Sequence, residues 1–66
     1  MKATINGEPC DLPSGTTVAS LLERLGVMSS GIAVAKNERV VRRVEYESIE
    51  IADGDTVEII KAVAGG

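Results

Sequence analysis

The chain has 66 residues, 44% hydrophobic and 26% charged, with a formal net charge of −3. That length fits one small domain, the composition is that of a folded chain, and the acidic balance argues against nucleic acid or an anionic membrane as partner. With no His and a single Cys, Cys10, the usual neutral-pH general base, the commonest zinc ligand, an internal disulfide and a CxxC redox pair are all excluded. The longest apolar run, Ile32 to Ala35, is far short of the roughly 18 residues of a membrane-spanning helix. Met1-Lys2 leads into a polar, alternating segment rather than the apolar stretch of a signal peptide, so the expected compartment is the cytoplasm.

Met1 to Ile5 alternates as a strand, with Met1, Ala3 and Ile5 on one face. Asn6-Gly7 supplies the positive-φ pair of a type I′ hairpin turn, and Glu8 to Leu12 is the return strand. Pro9 removes one ladder donor and places that strand at a sheet edge. Pro13-Ser14-Gly15 is a turn, and Thr16-Thr17 offers a hydroxyl to start a helix. Val18, Leu21, Leu22 and Leu25 then form one apolar stripe at helical spacing. Gly26 suits the left-handed position that ends the helix, with Val27 touching Leu22 beyond it.

Ile32 to Lys36 and Arg39 to Arg42 read as strands three and four around a tight Asn37-Glu38 turn, and Tyr46 to Ser48 fits a single helical turn. Asp53-Gly54-Asp55 is a turn, and Thr56 to Lys61 alternates as a fifth strand. No repeat or linker interrupts the chain, so it reads as one α+β domain, a helix laid over one mixed sheet. Strands one and five are expected to pair across the helix-containing crossover. Strand three carries Ile32 and Val34 on one face and Ala33 and Ala35 on the other, and its pattern does not decide which face meets the helix.

No GxGxxG or GxxxxGK loop is present, so the chain is expected to bind no nucleotide unaided. Gly65-Gly66 ends the chain. At about 7% glycine usage such a pair arises by chance about once in 200 chains, and a frayed end is the bland alternative. The functional alternative has a chemical basis. A terminal carboxylate resists nucleophiles until it is activated as an acyl-adenylate, and a tail without bulky side chains can thread a narrow channel to reach the activating centre. Val63, Ala64 and Gly65 add little bulk ahead of Gly66.

Asp53 and Asp55 are explained by their turn. Lys36, Arg39, Arg42 and Arg43 gather four of the seven basic residues near one hairpin. With no aromatic residue among them, they read as a solvated edge that also steers an acidic partner. Cys10 has no nearby base and reads as an inert thiol. Ile60 points away from the helix if Val57 and Ile59 point toward it, which makes it a candidate interface residue, with Lys61 and Ala62 beside it.

The ordered set of segments resembles the ubiquitin-like sulfur carriers of thiamin biosynthesis, the ThiS family. It comprises Asn6-Gly7-Glu8, Gly15-Thr16-Thr17-Val18, Leu21-Leu22 and Leu25, Ala33-Val34-Ala35 with Asn37, and Val40-Val41 with Arg43. Asp53-Gly54-Asp55, Val57-Glu58-Ile59 and Val63-Ala64-Gly65-Gly66 complete it. Arg42 stands where many relatives have Pro, and Ala64 where many have Gly. The resemblance implies a β-grasp domain over 1–66 with strand order 2-1-5-3-4 and a flexible tail at 62–66. It implies that Gly66 is adenylated by an E1-like (ThiF-like) adenylyltransferase and converted to a thiocarboxylate. Sulfur then passes to a thiazole synthase (ThiG-like), with ATP and the sulfur donor used by the partner enzyme and no cofactor held by this chain. On that reading the chain is a protein cosubstrate, monomeric when free. The small subunit of molybdopterin synthase shares fold and tail but is usually longer between helix and third strand. Carriers serving cysteine or tRNA, and a non-covalent docking module using the Ile60 face, are further alternatives.

Overall fold

The structure, a computed structural model, describes residues 1–28 and 30–61. Two N-terminal strands, β1 (Lys2–Ile5) and β2 (Glu8–Asp11), fold back on each other with Ile5 opposite Glu8 and Ala3 opposite Cys10. Asn6 and Gly7 make the turn with φ of 50° and 83°, the two positive values a type I′ turn needs. Met1 and Leu12 lie just outside the strands yet exchange both backbone bonds at 2.9 and 2.8 Å. Bonding pairs alternate along an antiparallel ladder. Pro9, opposite Thr4, therefore falls where an N–H would have pointed away from β1, and its missing donor costs the sheet nothing.

The helix α1 (Val18–Leu25) starts at Thr17, whose hydroxyl accepts from the Ser20 amide at 3.1 Å while Ser20 Oγ accepts from the Thr17 amide at 2.8 Å. Its other first-turn donors are taken from outside the helix. Val18 donates to the Ile49 carbonyl at 3.0 Å and Ala19 to the Tyr46 carbonyl at 2.8 Å. Segment 46–49 thus supplies acceptors that the helix cannot. At the other end Gly26 is left-handed, its amide donating to Glu23 and that of Val27 to Leu22, the paired bonds of a Schellman close.

The second hairpin joins β3 (Ile32–Lys36) to β4 (Arg39–Val41) through Asn37-Glu38. β4 stops one residue short of the expected end. Arg42 turns out of the sheet, a 3-10 turn follows at Arg43–Glu45, and the turn expected at Tyr46 to Ser48 continues it, with the Ser48 and Ile49 amides both donating to the Glu45 carbonyl. The cause is local: the Arg42 amide donates to Glu45 Oε1 at 3.0 Å and its carbonyl accepts from the Glu45 amide at 2.8 Å. The last strand, β5 (Thr56–Lys61), runs parallel to β1 and antiparallel to β3. The sheet order is β2-β1-β5-β3-β4, as the resemblance implies.

The core lies between helix and sheet, with Val18, Leu21 and Leu22 of α1 against Ala3, Ile5, Val34, Val41 and Val57. Leu12, Tyr46 and Ile51 close it at the side. Val34 is 1% exposed whereas Ala33 is exposed, so the Ile32–Val34 face of β3 meets the helix. Leu25 departs from the expected apolar stripe. It is 43% exposed, because it sits at the helix end.

Candidate functional site

The tail residues Ala62, Val63, Ala64, Gly65 and Gly66 lie outside the described residues. What the structure shows is the base from which they depart. β5 is held on both sides, by β1 through Thr4 and Ile5 and by β3 from Lys36 to Ile32. Val57 beneath it is fully buried. Strand alternation then turns Thr56, Glu58 and Ile60 to the face away from the helix. Ile60, opposite Ala33, is 57% exposed.

Ile60 is not alone on that face. Ala33 and Ala35 share it two residues apart, and Ala35 pairs with Val40, which is 78% exposed. Ile60, Ala33, Ala35 and Val40 therefore form a continuous apolar strip across three strands. Val40 was missed in the sequence because adjacent valines on a short strand do not reveal which one faces inward. A second apolar group surrounds Lys61, where Leu25, Met28 and Ile32 help to line a hollow of about 460 Å³. Met28 is 75% exposed and lies in a loop, where no periodicity singles it out.

The candidate carboxylates stand at the opposite end of β5. Asp55 precedes β5 and Lys61 closes it, a separation of about 20 Å at strand rise. Both carboxylates are used by the backbone: Asp53 Oδ1 accepts from the Lys2 amide and Asp55 Oδ2 from the Ala52 amide, each at 2.8 Å. Asp55 also accepts from Asn37 Nδ2 at 2.9 Å and pairs with Lys36 Nζ at 3.4 Å. The Ala52 amide and then the Asn37 amide group hold its carboxyl below the ordinary carboxylate range; burial opposes them, and the Lys36 charge adds a smaller lowering effect. Lys36 is accordingly a structural partner of Asp55 rather than part of a solvated basic edge. Arg42 and Arg43 belong to the 3-10 turn and its cap, and only Arg39 remains on the hairpin as expected for a solvated charge.

Cys10 is partly buried against the core, with Asp11 carbonyl 3.9 Å from its sulfur. Among the described residues no group of three or more His, Cys, Asp or Glu is placed to hold a metal ion, and no helix is long and apolar enough to cross a membrane. The surroundings of Lys61 instead offer apolar side chains and backbone groups, which suit contact with another protein.

Residues 3–66 match the ThiS family. A sulfur carrier protein ThiS from Thermus thermophilus is 39% identical over 62 residues, covering 94% of this chain and 95% of that protein. A crystal structure of a thiamine biosynthesis protein (ThiS) from Geobacter metallireducens superposes with a TM-score of 0.87 at 30% identity, each chain covered completely. A thiazole synthase from Paramagnetospirillum magneticum is 39% identical over 66 residues, all of this chain and 20% of that protein. The chain thus spans a fifth of the length of the thiazole synthases it matches.

Proposed function

Because the chain belongs to the ThiS family, we propose that it is a sulfur carrier of thiamine biosynthesis, a protein cosubstrate whose reactive group is the Gly66 carboxylate. An E1-like, ThiF-like adenylyltransferase joins that carboxylate to the AMP portion of ATP and releases pyrophosphate. A sulfur nucleophile displaces AMP to leave a thiocarboxylate, and thiazole synthase takes the sulfur. ATP and the sulfur donor are bound by the partners, the carrier is monomeric when free, and its compartment is the cytoplasm.

The observation that carries this reading is the position of Lys61. It ends a strand held by β3 from Val57 to Lys61 and by β1 at its start, which fixes the point from which the following segment departs. Five residues separate it from the chain end, a reach of at most about 17 Å when extended. That is long enough to enter a partner's active centre and short enough that the partner must press against the Ile60 and Met28 surfaces. Thiazole synthases that contain a ThiS-like stretch in the same polypeptide support the choice of recipient.

The test is an intact mass spectrum after incubation with ATP, the ThiF-like enzyme and a sulfide source. The expected outcome is replacement of one oxygen by sulfur, mapped to Gly66. A chain lacking Gly66 should unfold at the same urea concentration and gain nothing. Sulfur found elsewhere on the chain, or no gain with an enzyme active on another carrier, would sink the reading.

A further inference from the structure

β1 and β5 are parallel, yet β1 leaves the sheet at the Asn6-Gly7 turn while β5 continues to Lys61. The backbone groups of β5 that face β1 belong to its odd-numbered residues: the Val57 carbonyl accepts from the Asn6 amide at 2.9 Å. One step further the ladder is completed by a side chain. Ile59 donates its amide to Asn6 Oδ1 at 2.7 Å, the position a strand carbonyl would hold. Beyond that point, among the described residues, no group donates to the Ile59 carbonyl and none accepts from the Lys61 amide.

The outer edges of the sheet are guarded. Pro9 sits mid-edge on β2, a recognised way of discouraging strand pairing, and just beyond β4 both backbone groups of Arg42 are engaged by Glu45. The end of β5 has no such guard. In a parallel ladder one residue donates to the carbonyl before its opposite number and accepts from the amide after it. A single residue opposite Ile60, in line with β1, would therefore satisfy both Ile59 and Lys61.

We propose that this half-edge is a pairing site for an extended backbone segment of the thiazole synthase that receives the tail, aligned parallel to β5. The proposal rests on the carrier reading and adds to it where and how the partner is gripped. The choice of partner rests on the thiazole synthases that contain a ThiS-like stretch in the same polypeptide, and a tail of at most about 17 Å brings the surface of such a partner to this end of the strand. Strand addition would align the tail by backbone geometry, and the apolar strip through Ile60 lies on the adjoining face.

The alignment makes a selective test possible. The Lys61 amide points away from β3, so Lys61→Pro deletes the donor at no cost to the ladder that holds the fold. Lys61→Ala keeps the donor and removes the charge. An ester in place of the Lys61 amide, made by joining a synthetic 61–66 segment, removes the donor and keeps the side chain. Binding to the thiazole synthase of the same genome is measured by calorimetry, with urea midpoints as the check on folding. The Pro and ester forms should bind about tenfold more weakly than the parent, and more weakly than Lys61→Ala.

Equal binding by all forms would overturn the proposal, as would an equal loss in Lys61→Ala. A self-associated parent that becomes monomeric in Lys61→Pro would assign the edge to a second copy and overturn it too. Thiocarboxylate formation on the parent chain, followed by mass, separates these outcomes from failure of the carrier reading itself.

Discussion

Asp55 shows how one side chain joins three parts of the chain. It accepts from Ala52 in its own turn, from Asn37 in the second hairpin and from Lys36 on β3. These donors favour the charged form, so its carboxyl titrates below the ordinary carboxylate range. The unfolded chain therefore binds the proton more readily than the native one. The stabilisation is complete above the unfolded value near 4 and is lost as pH falls through the lower native value. Asp55→Asn should be less stable than the parent near neutral pH. The gap should narrow steadily as pH falls below the unfolded value, read by urea unfolding at successive pH. A gap that does not change with pH would show that shape, and not charge, is what Asp55 contributes.

The two hairpins differ in a way that only their turn residues explain. Asn6-Gly7 places glycine where the second positive φ is needed, whereas Asn37-Glu38 forces glutamate to φ 69°. A side chain with Cβ in that region costs about 1–2 kcal/mol. The turn survives because Asn37 is clamped to β5: its amide donates to the Thr56 carbonyl at 2.7 Å, and its Oδ1 accepts from the Thr56 amide at 2.9 Å. Glu38→Gly should stabilise the chain by about 0.5–1 kcal/mol, the relief of strain exceeding the extra entropy of the unfolded glycine. Thermal unfolding measures it, and a destabilised variant would mean that Glu38 makes a compensating interaction. Arg42 is a related case. Its amide has turned out of the sheet, and Glu45 takes it up.

At the scale of the molecule, a 66-residue chain has roughly 3–10 kcal/mol of stability in hand. Its core is one layer of side chains with Leu21 and Val18 fully buried at its centre. Leu21→Ala should cost about 2–5 kcal/mol, a large fraction of the total, and the urea midpoint should fall accordingly. A loss below about 1 kcal/mol would mean that the core collapses around the deletion far more freely than close packing allows.

Periodicity and turn chemistry are local, and the sequence by itself determined what they control: the five strands, the helix with its Thr17 and Gly26 ends, and the edge position of Pro9. Other features depended on which elements become neighbours. Tyr46 to Ser48 reads only as a helical turn, and it is the capping of the helix by segment 46–49 that turns the Tyr46 side chain into the core. The faces of β3 and the paired state of Lys36 are decided by what β5 brings opposite them, as is the apolar strip joining Val40 to Ile60. The open carbonyl of Ile59 and amide of Lys61 lie furthest from the sequence pattern, because they arise where one strand outruns its neighbour, and only the assembled sheet fixes that difference in length.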